Sequence, residues 1–190
     1  MRTMRVLLVA GLAGLAAANP AAAQMSNAAM DVPMVGGAPM YPTKTIVENA
    51  SAASNLTTLV AAVKAGGLVD TLQGAGPFTV FAPTNAAFEK LPAGTVDTLL
   101  KPENKAMLDK VLTYHVVSGR YTTEQLMAMI QKGHGTAMLK TVEGEPLKLT
   151  SSNGHIYVEG NKSGVAQIVT PNVAQSNGMV QVISSVVLPE

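Results

Sequence analysis

Three histidines, eleven methionines and no cysteine are the soft or titratable ligands this chain offers. Catalysis needs a nucleophile with a base and an orienting group, or a metal site. The chain contains no Gly-x-Ser-x-Gly elbow, no Walker A loop, no Gly-x-Gly-x-x-Gly turn and no His-Glu-x-x-His pair. His115, His134 and His155 stand singly, which leaves only a triad assembled from distant Ser, His and Asp residues. The expectation is a non-enzymatic protein without a cofactor. The methionines are more unusual, because Met25, Met30, Met34 and Met40 cluster in one Met-, Ala-, Pro- and Gly-rich stretch. Thioether sulfur suits Cu(I), yet spacings of 5, 4 and 6 match no tight motif. The same residues can serve as adaptable apolar contacts, or have no role. Three Asn-x-Ser/Thr triplets, at Asn49, Asn55 and Asn161, fit the glycosylation pattern but are read as chance occurrences.

Ahead of that stretch, Arg2 and Arg5 precede an apolar run over residues 6–18, ended by Asn19 and Pro20. The run is 13 residues long, shorter than the roughly 18 a spanning helix needs. With Ala21, Ala22 and Ala23 as a small-residue cleavage site, residues 1–23 read as an export signal of bacterial style. Cleavage after Ala23 would leave 167 residues carrying 11 basic and 12 acidic groups, since Arg2 and Arg5 are lost from the 13 basic residues of the whole chain. No basic run is present to follow a phosphate backbone or an anionic leaflet, so neither nucleic acid nor a membrane is an expected partner. Export makes the protein secreted or periplasmic. Without cysteine it must hold by its core, which a domain of about 150 residues can do.

Residues 24–43 read as a flexible arm, and regular patterning begins near Thr45. Ile46, Leu56, Leu59, Val60, Val63, Leu68 and Leu72 recur at helical spacing, with Ser54 or Asn55 placed to cap and Gly66-Gly67 to stop. Residues 78–81 alternate between Pro77 and Pro83 as a strand should. Thr84 is a suitable N-cap, helices are predicted near 95–100 and 103–112, and Thr122 with Gln125 has capping-box spacing for a helix through Ile130. Thereafter the period drops to two. Strands are predicted near 136–142, 146–150, 155–159, 165–170 and 179–187, separated by Glu143-Gly144, Asn153-Gly154, Glu159-Gly160 and Asn177-Gly178, of which the Asn-Gly pairs supply the positive φ that tight hairpin turns need. Helices first and strands last define an α+β domain over residues 44–190 with a mostly antiparallel sheet.

Three blocks in fixed order carry further information: FTVFAPTNAAF at 78–88, LTYHVVSG at 112–119 and SNGMVQVISSVVLP at 176–189. Phe81 and Phe88 are expected core anchors, and Pro83-Thr84-Asn85 a strand-to-helix corner. Together the blocks resemble the signature of the fasciclin (FAS1) domain, and the resemblance spans about residues 44–190. It implies a β-sandwich or wedge with several helices packed on it. It also implies an extracellular module for cell adhesion or surface interaction, with a cell-surface or matrix protein or glycan as partner. Tyr114-His115 matches the family's central Tyr-His pair, implicated in receptor binding in adhesive members. If the two lie on a strand, one ring packs inward and the other faces a groove or water; both a structural and an interaction role stand. The third block departs from the pattern. Asn172 stands where the family often has Asp, Gln181 where His is common and Ser184 where Asp is common. These replacements keep hydrogen bonding and remove charge.

Overall fold

The computed structural model describes residues 32–74, 76–162 and 164–189. The export signal at 1–23, Met25 and Met30 lie outside the described residues. Residues 34–39, placed in the arm by sequence, form a small hairpin of β1 (Met34–Val35) and β2 (Ala38–Pro39). Val35 and Met40 are buried with the helical core. Ordered structure therefore starts before residue 44; a polar-poor stretch with two apolar anchors can bury them, and composition alone hides that.

Three helices follow: α1 (Ile46–Ala52), α2 (Thr57–Gly66) and α3 (Val69–Gln73). Thr45 and Glu48 close a capping box on α1, and the Thr45 amide and hydroxyl hold the exposed Glu48 carboxyl below its ordinary range. Neither Ser54 nor Asn55 caps α2. Its start at Leu56 has no side-chain cap of its own; instead Asn85, from across the fold, accepts from the Thr58 amide at 3.1 Å. Gly67, at φ 72, ends α2 in the left-handed conformation. Thr84 caps α4 (Asn85–Glu89), and Thr122 with Gln125 boxes α7 (Thr123–Lys132), as the sequence predicts. Between them lie α5 (Thr95–Leu99), a 3-10 turn at Pro102–Asn104 and α6 (Lys105–Tyr114).

The strands are β3 (Phe78–Pro83), β4 (Val116–Ser118), β5 (Thr136–Lys140), β6 (Pro146–Ser152), β7 (His155–Glu159), β8 (Val165–Gln175) and β9 (Gly178–Ile183). They run in the order β4-β3-β9-β8-β7-β6-β5. All pairs are antiparallel except β3 with β9. A bridge from Val117 to Thr141, with the Val142 amide on the Val116 carbonyl at 2.8 Å, joins the two ends of the sheet.

The central parallel pair is buried on both faces, which explains its nearly continuous apolar sequence. Val80, Ala82, Val180 and Val182 face a core shared with α1, α2, α4, α5 and α6. Phe81 and Ile183 face a second core with β5 to β8 and with Leu126 and Ile130 of α7. Phe81 and Phe88 are both buried, as expected, but they anchor different cores. Fully burying such a side chain contributes about 1.5–3 kcal/mol. The predicted strand 179–187 ends at Ile183; residues 184–189 leave the sheet, and Val186 and Val187 are buried without strand pairing.

Candidate functional site

Tyr114 is the last residue of α6 and His115 its C-cap, so the pair ends a helix and does not lie on a strand. The expected division of one ring inward and one outward is corrected accordingly: Tyr114 is fully buried and His115 is only 2% exposed. At a helix end consecutive side chains are about 100° apart rather than opposed, and the chain here turns into β4 between the two cores. The Tyr114 hydroxyl donates to the Pro146 carbonyl at 3.3 Å. Burial, followed by the charge of Glu145, raises its pKa.

His115 Nδ1 lies 2.7 Å from the Val111 carbonyl, one helical turn back, and therefore donates its hydrogen there. That fixes the tautomer, leaving Nε2 to accept from the Val187 amide at 3.2 Å. A neutral imidazole thus ties the end of α6 to the unpaired C-terminal segment. Burial lowers the His115 pKa to about 4, and the Val111 bond offsets part of the shift. The ring borders an apolar void of about 30 Å³ lined by residues such as Ile46, Val63, Val80 and Leu112. This volume holds about one water and no organic ligand.

Two further polar centres were not read from the sequence. Asn177 accepts from the Ile46 amide at 3.2 Å and donates to the Leu72 carbonyl at 2.5 Å. It caps α1 and closes α3 from the far end of the chain. Neither Asn177 nor Gly178 has positive φ, so the pair is not the primed turn its letters suggest; Glu143-Gly144 and Asn153-Gly154 do place Gly144, Asn153 and Gly154 at positive φ. The other centre joins two of the three replaced positions, Asn172 and Gln181, while the Ser184 hydroxyl accepts from the Gln167 amide at 3.0 Å elsewhere on the sheet. Asn172, at φ 56, sits at a bulge of β8. Its carbonyl oxygen accepts from Thr123 at 2.7 Å and its amide nitrogen reaches Glu124. Buried Gln181 receives the Asn172 backbone amide at 3.0 Å and donates to the Tyr121 carbonyl at 3.1 Å. Thr79, also buried, accepts from the Tyr121 amide. The centre is neutral apart from the exposed Glu124, and it fixes the loop between β4 and α7. Asp and His at 172 and 181 would have placed a titrating pair there.

Of the methionines considered as ligands, Met34 is exposed, while Met40 is committed to the core. Met25 and Met30, the other two, lie outside the described residues. Among the described residues no group of three or more His, Asp or Glu side chains could hold a metal ion. Asn49 is buried, bonded to Tyr41 and Gln175, which closes that glycosylation triplet in the folded chain.

The accessible surface lies elsewhere. On β5 to β8 the side chains pointing away from α7 are open to solvent, and register aligns Met138, Lys148, Glu159 and Val165 in one row. Met138, Val165 and Val169 are 56%, 53% and 49% exposed. Lys148 and Glu159 pair at 2.8 Å in the middle of that row. The Lys148 bond is the main cause holding the Glu159 carboxyl below its ordinary range. Period-two alternation located these strands, but which face stays uncovered depends on where α7 docks.

Comparison with known proteins agrees with this architecture. The fasciclin domain family matches residues 54–189. Protein sll1483 of Synechocystis is 43% identical over 187 residues, 97% of this chain and 96% of that protein. Immunogenic protein MPB70 of Mycobacterium bovis is 40% identical over 148 residues, 74% of this chain and 68% of that protein. Among solved structures, a FAS1 domain pair from the insect cell adhesion molecule fasciclin I superposes with a TM-score of 0.67 at 19% identity, covering 76% of this chain and 51% of that one. The family match reaches from the α1–α2 connection to residue 189, and the chain belongs to the fasciclin domain family.

Proposed function

We propose that the protein is an exported, non-enzymatic fasciclin module for cell adhesion or extracellular surface interaction, whose contact surface is the outer face of β5 to β8. The observation carrying this reading is the trio of half-exposed apolar side chains, Met138, Val165 and Val169, on a rigid sheet face. Exposed apolar side chains beside an ion pair suit a partner that excludes water from them. Further support comes from the cell adhesion molecule among its structural relatives and from the export signal expected at residues 1–23. The partner class is a cell-surface or matrix protein or glycan. Tyr114 and His115 serve this surface by holding the scaffold, not by touching the partner.

Beads coated with the protein should attach to intact cells of its source organism. A Val165→Asp, Val169→Asp double variant is expected to reduce attachment roughly tenfold or more, because two carboxylates would stand where apolar side chains meet the partner, with an unchanged melting temperature. Attachment equal to that of the parent protein would remove this face from consideration.

A further inference from the structure

Methionine carries all the sulfur in this chain. With no cysteine, two-electron oxidants in an exported compartment meet sulfur only as methionine. Fold position then decides which sulfur they reach. Met40 and Met179 are buried, Met127 and Met129 pack on the second core, and Met34, Met107 and Met138 are each more than half exposed. Of these three, only Met138 lies on the outer sheet face, directly opposite Lys148.

We infer that Met138 is a peroxide-reactive site whose oxidation weakens the contact surface, an inference that rests on the outer-face reading above. The Met138 sulfur lone pair attacks one oxygen of hydrogen peroxide, the S–O bond forms as the O–O bond breaks, and after proton transfer water leaves. Sulfur loses two electrons and peroxide gains them. The product sulfoxide is polar and a strong acceptor where an apolar thioether stood. Opposed side chains on neighbouring antiparallel strands start about 5 Å apart at Cβ, so the new oxygen competes with Glu159 for the Lys148 ammonium. One apolar contact is lost, and the ion pair in the middle of the row is disturbed with it.

The test exposes the full chain to hydrogen peroxide, maps oxidation by peptide mass, and then measures attachment of coated beads to intact cells. Met34, Met107 and Met138 should oxidise roughly tenfold or more faster than Met40 and Met179. Attachment by the oxidised parent should drop roughly tenfold, in keeping with loss of one apolar interface contact. Met138→Leu should keep its attachment after peroxide, and Met138→Gln should attach weakly without it. A Met138 that stays reduced while Met40 or Met179 oxidises overturns the site. Peroxide loss equal in Met138→Leu and parent overturns the regulatory role. If Val165→Asp, Val169→Asp attaches normally, the outer-face reading falls and the regulatory role with it, while the oxidation map still decides the reactivity of Met138 by itself.

Discussion

His115→Ala is expected to destabilise the fold by about 3–5 kcal/mol, from two sources. Removing the ring leaves the Val111 carbonyl and the Val187 amide without their buried partner, at about 1–3 kcal/mol for each unsatisfied group. The space left adjoins an apolar void that is already present, so neighbouring side chains cannot easily close it. Urea unfolding at pH 7 measures the sum, and hydrogen exchange at Val187 should accelerate as the C-terminal segment loses its tie. A loss below about 1 kcal/mol, typical of a surface substitution, would contradict the tie.

The same histidine sets a pH dependence of determinate sign. Its folded pKa of about 4 lies below the ordinary 6.5, so between those values the unfolded chain binds the proton and the folded chain does not. Stability is complete above pH 6.5, declines as pH falls through that window, and levels off below 4 as far as this group is concerned. Between pH 7 and pH 5 the decline should be about 2 kcal/mol. Glu48, Glu124 and Glu159, whose pKa values are lowered from 4.5, withdraw their contributions only below that value and leave the upper window to histidine. His115→Gln should flatten the decline. A parent protein equally stable at pH 7 and pH 5 would show that the imidazole is not held neutral.

The sequence revealed those features that depend on neighbours along the chain. The Thr84 cap, the Thr122–Gln125 box, the period-two strands and the Asn153-Gly154 hairpin each rest on residues a few positions apart, and all are present. Features that failed or stayed hidden rest on partners far away. The α2 start is served by Asn85, 27 positions later, and the α1 start by Asn177, 131 positions later. Met40 reads as part of a loose arm in the sequence because its burial depends on packing with residues of α1 and α2. The Tyr114-His115 pair stands out in the sequence, but its surroundings depend on where α6 ends. A helix that runs two residues beyond Leu112 changes a residue that could face solvent into one sealed between two cores.

Gly178→Ala should be among the most damaging single substitutions, although the change adds only one methyl group. Phe78 and Gly178 are direct partners in the parallel β3–β9 pair, and the Phe78 amide donates to the Asn177 carbonyl at 3.2 Å. A Cβ on Gly178 would stand 2.2 Å from the Phe78 carbonyl oxygen, with Phe78 C and N at 3.0 and 3.1 Å. Those are backbone atoms, so no rotamer change relieves the overlap. The strands must separate at the end where Asn177 reaches Ile46 and Leu72, and the clamp over α1 and α3 loosens along with the sheet. Overpacking typically costs about 1–3 kcal/mol; with the clamp disturbed, a loss of about 3 kcal/mol or more is expected. Gly164→Ala is the control, because a Cβ there meets nothing within 4 Å. Fewer unfolded conformations should leave that variant unchanged or more stable by up to about 1 kcal/mol. Thermal melts of the two variants side by side decide the matter. Equal melting temperatures would mean that close approach of β3 and β9 does not require glycine, and that the Asn177-Gly178 pair matters only through the asparagine.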